Sequence, residues 1–159
     1  MMDVSGATLR EGLSASLAVP RWVEDVASHA PFADLVALLA VASAEATPLT
    51  PDEIAQAIAH HPRIGEKPVG SAASAAMSRA EQGDATELAG ELAAGNAAYE
   101  KRFGRVFIIR AAGRSRAEIL AELDRRLQLD DTTELLIVGE QLRDIALLRL
   151  EKLFGQDTP

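Results

Sequence analysis

Nowhere does this chain carry a long alternating Val/Ile/Thr segment, while apolar residues recur three and four apart between well-marked helix starts and stops. A half-buried strand needs alternation with a period of two, and an amphipathic helix needs the three-and-four pattern. Abundant Ala and Leu, with aromatics at only 4%, favour the helix further. The sequence therefore predicts an all-α fold, a single compact helical domain of six to eight helices spanning residues 1–159. A chain of 159 residues fits one ordinary domain and buries about 70% of its unfolded surface.

Prolines and capping residues punctuate the chain. Pro20 suits the first position of a helix through Ala30, and Pro31 separates it from a second running from Phe32 to Glu45. In that second helix Leu35, Leu38, Leu39 and Ala42 form one apolar stripe. Thr50, Pro51, Asp52 and Glu53 combine a capping hydroxyl, a first-turn proline and a capping-box glutamate. The helix they open runs to His60 or His61 and stops before Pro62, which disfavours helical geometry at its predecessor. A glycine-bearing loop over residues 63–70 leads to a short Ala-rich helix from Ser71 to Gln82.

A long helix from Asp84 to Phe103 ends at Gly104, suited to a left-handed C-terminal cap. Val106 to Ile109 is short, apolar and β-prone, which predicts an extended segment threading the core. Ser115 with Glu118 opens a helix through Leu127, and Asp131 with Glu134 predicts the same arrangement for a final helix to Phe154.

The net charge of −8 repels phosphate backbones, and no Lys/Arg cluster of nucleic-acid-binding length is present. Nucleic acid is not an expected partner. Apolar stretches such as Leu35 to Ala42 are too short to cross a bilayer, and residues 1–20 lack the basic-then-apolar plan of a signal peptide. The expectation is a cytoplasmic protein without membrane association. Zero cysteines exclude disulfides, thiolate metal sites and a Cys nucleophile. Of the three histidines, His60 and His61 are adjacent, and a three-histidine metal site requires the distant His29 to fold back beside them.

Three features stand out chemically. His61 follows Ile54 by seven residues and Ile58 by three, so it continues the apolar face of its helix where Pro62 halts the chain. It is either an imidazole that interacts with the last carbonyls or a proton-transfer group aimed into a pocket, and spacing alone leaves both open. Arg149 continues the stripe of Leu135, Val138, Leu142 and Ile145. Its guanidinium either snorkels to the rim or stays buried against an anion, for which the planar fork suits a carboxylate or ureido oxygen. Ser78, Glu81 and Gln82 share one helical face, which is either a solvated edge or a hydroxyl, carboxylate and amide for a polar ring. No phosphate cradle, nucleophile elbow or zinc-protease motif occurs.

These features occur in a recognisable order. His61-Pro62-Arg63-Ile64-Gly65, then Ser78 and Glu81-Gln82, then Asn96, Tyr99-Glu100 and Arg102-Phe103-Gly104 are followed by Phe107-Ile108-Ile109 and Ala112-Gly113-Arg114-Ser115. With Ile145-Ala146-Leu147-Leu148-Arg149-Leu150 the set resembles the OHCU decarboxylase family, OHCU being 2-oxo-4-hydroxy-4-carboxy-5-ureidoimidazoline. The similarity runs from about Val23 to Leu153, nearly the whole chain.

The resemblance implies an all-helical homodimer that needs no cofactor and converts OHCU to (S)-allantoin in urate catabolism. It implies that His61 is the catalytic histidine and Glu81 its acidic partner. Pro62, Ser78, Gln82 and Arg149 are then substrate-binding positions, with backbone groups of Phe107, Ile108 and Ile109 lining the pocket. Where many members read His-Pro-Asp-Leu, this chain reads His-Pro-Arg-Ile, which leaves the contacts of Arg63 open. Two other classes compete on the residues alone: a helical small-molecule binding module, and a metal-assisted ureide hydrolase using His60, His61 and nearby carboxylates.

Overall fold

Proline and capping side chains set the helix boundaries in the computed structural model, which describes residues 6–59 and 88–155. The described residues form seven helices and no strand: α1 (Gly6–Ser16), α2 (Pro20–Ala27), α3 (Leu35–Glu45), α4 (Pro51–Ile58), α5 (Ala89–Phe103), α6 (Arg116–Arg126) and α7 (Asp131–Phe154).

Two of the three expected capping boxes form. At α4, Thr50 Oγ1 accepts from Glu53 N at 3.1 Å while the Glu53 carboxylate accepts from Thr50 N at 3.0 Å. At α6, Ser115 and Glu118 do the same at 3.1 and 2.9 Å. Gly104 ends α5 with a φ of 71°, the left-handed geometry that costs a glycine little.

Other boundaries shift. α2 ends at Ala27, earlier than the expected Ala30, because the N–H groups of His29 and Ala30 turn back three residues to Val26 and Ala27. α3 starts at Leu35 instead of Phe32, since the Asp34 carboxylate caps it by accepting from Ala37 N at 2.9 Å. At α7 the cap is Asp130, which accepts from Thr133 N at 2.7 Å, and no box forms between Asp131 and Glu134. The reason is that Glu134 turns into the interior. The sequence reading assigns no helix before Pro20, yet α1 exists, with Leu9 and Leu13, four apart, both buried.

α7, about 36 Å long at the helical rise per residue, is the spine. It packs on α1, α3 and α4, while α2 bridges α1 and α3. Gly12 permits the α1 crossing, because a Cβ there would lie 2.5 Å from the Phe154 ring. Leu13, Trp22, Leu38, Ala57, Leu142 and Leu150 belong to the resulting core. Trp22 Nε1 donates to Ala42 O at 2.9 Å, so α2 and α3 are joined by a satisfied buried polar group. Arg21 donates to both carboxylate oxygens of Glu53 at 2.7 and 3.1 Å, fastening α2 to α4. That guanidinium, foremost through its hydrogen bond, holds the Glu53 carboxyl below the usual carboxylate range.

A second core lies between α5 and α6 and contains Leu92, Tyr99, Ile119 and Leu123. Inside it Arg126 and Glu134 form an ion pair at 0% exposure, joined by the Tyr99 hydroxyl, which donates to the same carboxylate. Arg126 Nε lies 2.8 and 3.1 Å from the two Glu134 oxygens, and Nη2 completes the fork. Two desolvated charges persist in such a place only when each is well paired. Glu134→Ala should therefore cost about 3–5 kcal/mol of unfolding free energy by stranding the guanidinium. Adding Arg126→Met in the same chain should restore most of it, both read from urea denaturation midpoints.

Candidate functional site

The stretch after Gly104 is the irregular element of the described interior. Its side chains alternate: Val106 and Ile108 pack on the first core, and Phe107, Ile109 and Ala111 enter the second. A period of two identifies an extended backbone, as the β-prone sequence predicts, and here it is threaded between two helical layers. Gly113, at a φ of 80°, turns the chain back toward α6.

Two side chains hold this connector. Arg126 Nη1 donates to Ile108 O at 2.7 Å, and Arg110 N donates to Gln141 Oε1 at 2.9 Å. The Arg126 guanidinium also lies 4.6 Å from the centroid of the Phe107 ring. Phe107, Ile108 and Ile109 are each at most 3% exposed.

Arg149 sits on the inward face of α7, as its spacing implies, at 2% exposure. Its Nη1 lies 3.5 Å from Ala15 O, one of the last carbonyls of α1, where a cation meets the negative end of the helix dipole. Ile145, one turn earlier, shares a core with Ile108, so the connector and the Arg149 face of α7 line one interior.

α4 buries Ile54 and Ala57 and ends at Ile58, with Ala59 as its C-cap directly before His60. His60, His61, Pro62, Arg63, Ser78, Glu81 and Gln82 lie outside the described residues. An open groove of about 680 Å³ lies where the end of α4 meets the start of the connector, lined by Ile54, Ile58 and Ala59 opposite Phe103, Arg105 and Val106. Arg149 and Phe107 to Ile109 are not in its described wall. His29 is half exposed, 3.7 Å from Glu45, and no group of three or more metal-ligating side chains occurs among the described residues.

Sequence reasoning overlooks Arg126, Glu134 and Gln141. A signal exists for Arg126, which follows the buried Ile119 and Leu123 by seven and three residues, the same anomaly that singles out Arg149. Tyr99 is perturbed by this network. Burial first, and then the hydrogen bond and charge of Glu134, push its phenol well above the ordinary 10.0.

An all-α scaffold with a long spine helix, a buried inward arginine and an irregular backbone segment fixed by side chains narrows the class of protein considerably. The model of the OHCU decarboxylase family matches residues 3–151, and the chain belongs to that family. It is 37% identical over 107 residues to the uric acid degradation bifunctional protein TTL of Arabidopsis thaliana, an alignment covering 63% of this chain and 33% of the relative. The chain thus spans about a third of that curated relative's length. A crystal structure of OHCU decarboxylase in the presence of (S)-allantoin superposes with a TM-score of 0.75 at 26% identity, covering 92% of this chain and 98% of the other. (S)-Allantoin synthase superposes at 0.65 with 18% identity over 95% and 51%, a likeness of fold.

Tyr99 is the sole tyrosine, so tyrosinate absorbance reports this site directly. Because its folded value is raised, its contribution to stability is intact below the ordinary 10.0 and is lost as pH climbs above it. At pH 10.0, where a free phenol is half ionised, the native protein should show almost no tyrosinate. The signal should appear only with unfolding, and a half-ionised native phenol would contradict the buried network.

Proposed function

We propose that this chain is a cofactor-independent carboxy-lyase that converts OHCU to (S)-allantoin and CO₂ in urate breakdown, working as a cytoplasmic homodimer. The observation that carries the reading is the likeness, over 92% of this chain and 98% of the other, to an OHCU decarboxylase crystallised in the presence of (S)-allantoin. The family match along residues 3–151 supports it. The homodimer rests on the resemblance of the sequence to that family, and the compartment is the expectation from the sequence alone.

The chemistry is feasible without an added electron sink. Loss of CO₂ leaves an electron pair on the ring carbon that carried the carboxylate, and the neighbouring ring C=N accepts it. The protein then has to bind the ring, move protons and exclude water. In this reading His61, oriented by Glu81, takes the proton of the ring hydroxyl and returns one to a single face of the ring. Delivery from one side sets the S configuration. Ser78, Gln82 and Arg149 hold the ring and ureido arm beside Pro62, and backbone groups of Phe107, Ile108 and Ile109 complete the pocket. A guanidinium already buried at 2% exposure needs little reorganisation to meet a carboxylate or ureido oxygen.

Circular dichroism of freshly prepared OHCU tests the reading: the protein should speed the appearance of optically active allantoin, and a rate equal to the buffer control would refute it. His61→Asn should lower the rate by about 10²–10⁴-fold, the usual contribution of general acid–base assistance. Arg149→Lys keeps the charge but loses the fork, and its KM for OHCU should rise about ten- to hundred-fold.

A further inference from the structure

The connector departs from the helical plan, and its position is set by groups far away in sequence. In an extended chain the N–H and C=O of one residue point to the same edge, and those of the next residue to the opposite edge. Arg126 takes the C=O of Ile108 and Gln141 takes the N–H of Arg110, two residues on, so both bonds lie on one edge. Among the described residues no backbone group pairs with the Ile109 N–H or C=O, which face the other edge.

The anchoring is also well determined. Every guanidinium nitrogen of Arg126 is hydrogen-bonded, in contrast to Arg116, also buried on α6, whose three nitrogens have no hydrogen-bond partner among the described residues. Glu134 fixes Arg126 from α7, and Tyr99 fixes Glu134 from α5. A guanidinium held on two sides by a carboxylate and an aromatic ring has one direction left, toward Ile108 O.

We propose that Arg126, Glu134 and Gln141 are positioning residues: they set the register of the connector and so aim the Ile109 N–H and C=O, backbone groups that the proposed function already puts at the substrate. The inference rests on the decarboxylase reading and deepens it: specificity for an imidazoline ring comes partly from main-chain groups whose aim is fixed by an ion pair behind them. A slip of one residue would turn the Ile109 pair toward α6 and α7 and expose the wrong edge.

The experiment measures KM and kcat on freshly prepared OHCU for wild type, Gln141→Leu, Gln141→Glu and Arg126→Lys, with thermal denaturation of each. Gln141 is only partly buried, so its variants should fold. Gln141→Leu loses the acceptor for Arg110 N and should raise KM about three- to ten-fold, the worth of one hydrogen bond, with kcat nearly unchanged. Gln141→Glu keeps an acceptor and should restore the wild-type KM. Arg126→Lys retains the charge beside Glu134 without reaching Ile108 and should raise KM likewise. If it does not fold, the Gln141 pair decides alone. A merely structural role would lower the melting temperature and leave KM untouched. An active wild type with Gln141→Leu at the wild-type KM, or with both Gln141 variants equally impaired, overturns the positioning role. A wild type that makes no allantoin overturns the proposed function instead.

Discussion

The buried contact between Arg126 and Glu134 is the constraint around which this molecule is arranged. Two charges at 0% exposure are tolerable only if every lone pair and proton is matched. Matching them recruits Tyr99 from α5, Ile108 from the connector, and the helices α6 and α7 that carry the pair. Four pieces of chain meet at one guanidinium and one carboxylate. The same demand explains the altered start of α7, where Glu134 abandons the reciprocal capping role its sequence position suggests and Asp130, in place of Asp131, caps the helix.

An extended segment inside a helical protein creates a problem that helices solve for themselves. Helical backbone groups pair within the element, whereas a threaded strand with no neighbouring strand must find partners among side chains or ligands. Arg126 and Gln141 supply partners on one edge. Small-molecule sites are generally apolar hollows with a few well-placed polar groups. Among the described residues, the edge that carries the Ile109 N–H and C=O lies between two hydrophobic cores and has no backbone partner.

Much of the architecture was legible because its causes are local. Capping boxes at Thr50 and Ser115, the stop at Gly104 and the stripe leading to Arg149 each depend on residues within a few positions of one another. The extended course of Val106 to Ile109 was readable from its short run of β-prone residues, whereas the division of its side chains between two cores was not. What escaped depends on distant partners. Glu134 looks like a helix-start residue until Arg126, eight residues back, and Tyr99, thirty-five back, are seen beside it. α1 was passed over because its short apolar face becomes meaningful only against Phe154 at the other end of the chain. Of the predicted site, Arg149 and the connector occupy the interior as expected, whereas the role of His61 rests on family likeness.

The two cores each hold one natural chromophore. Trp22, the only tryptophan, is sealed in the first, and the lone tyrosine is sealed in the second. Indole emission therefore follows the layer built on α1 to α4, and phenol absorbance follows the layer built on α5 and α6. With no label added, the two optical traces can tell whether the layers melt together or in succession.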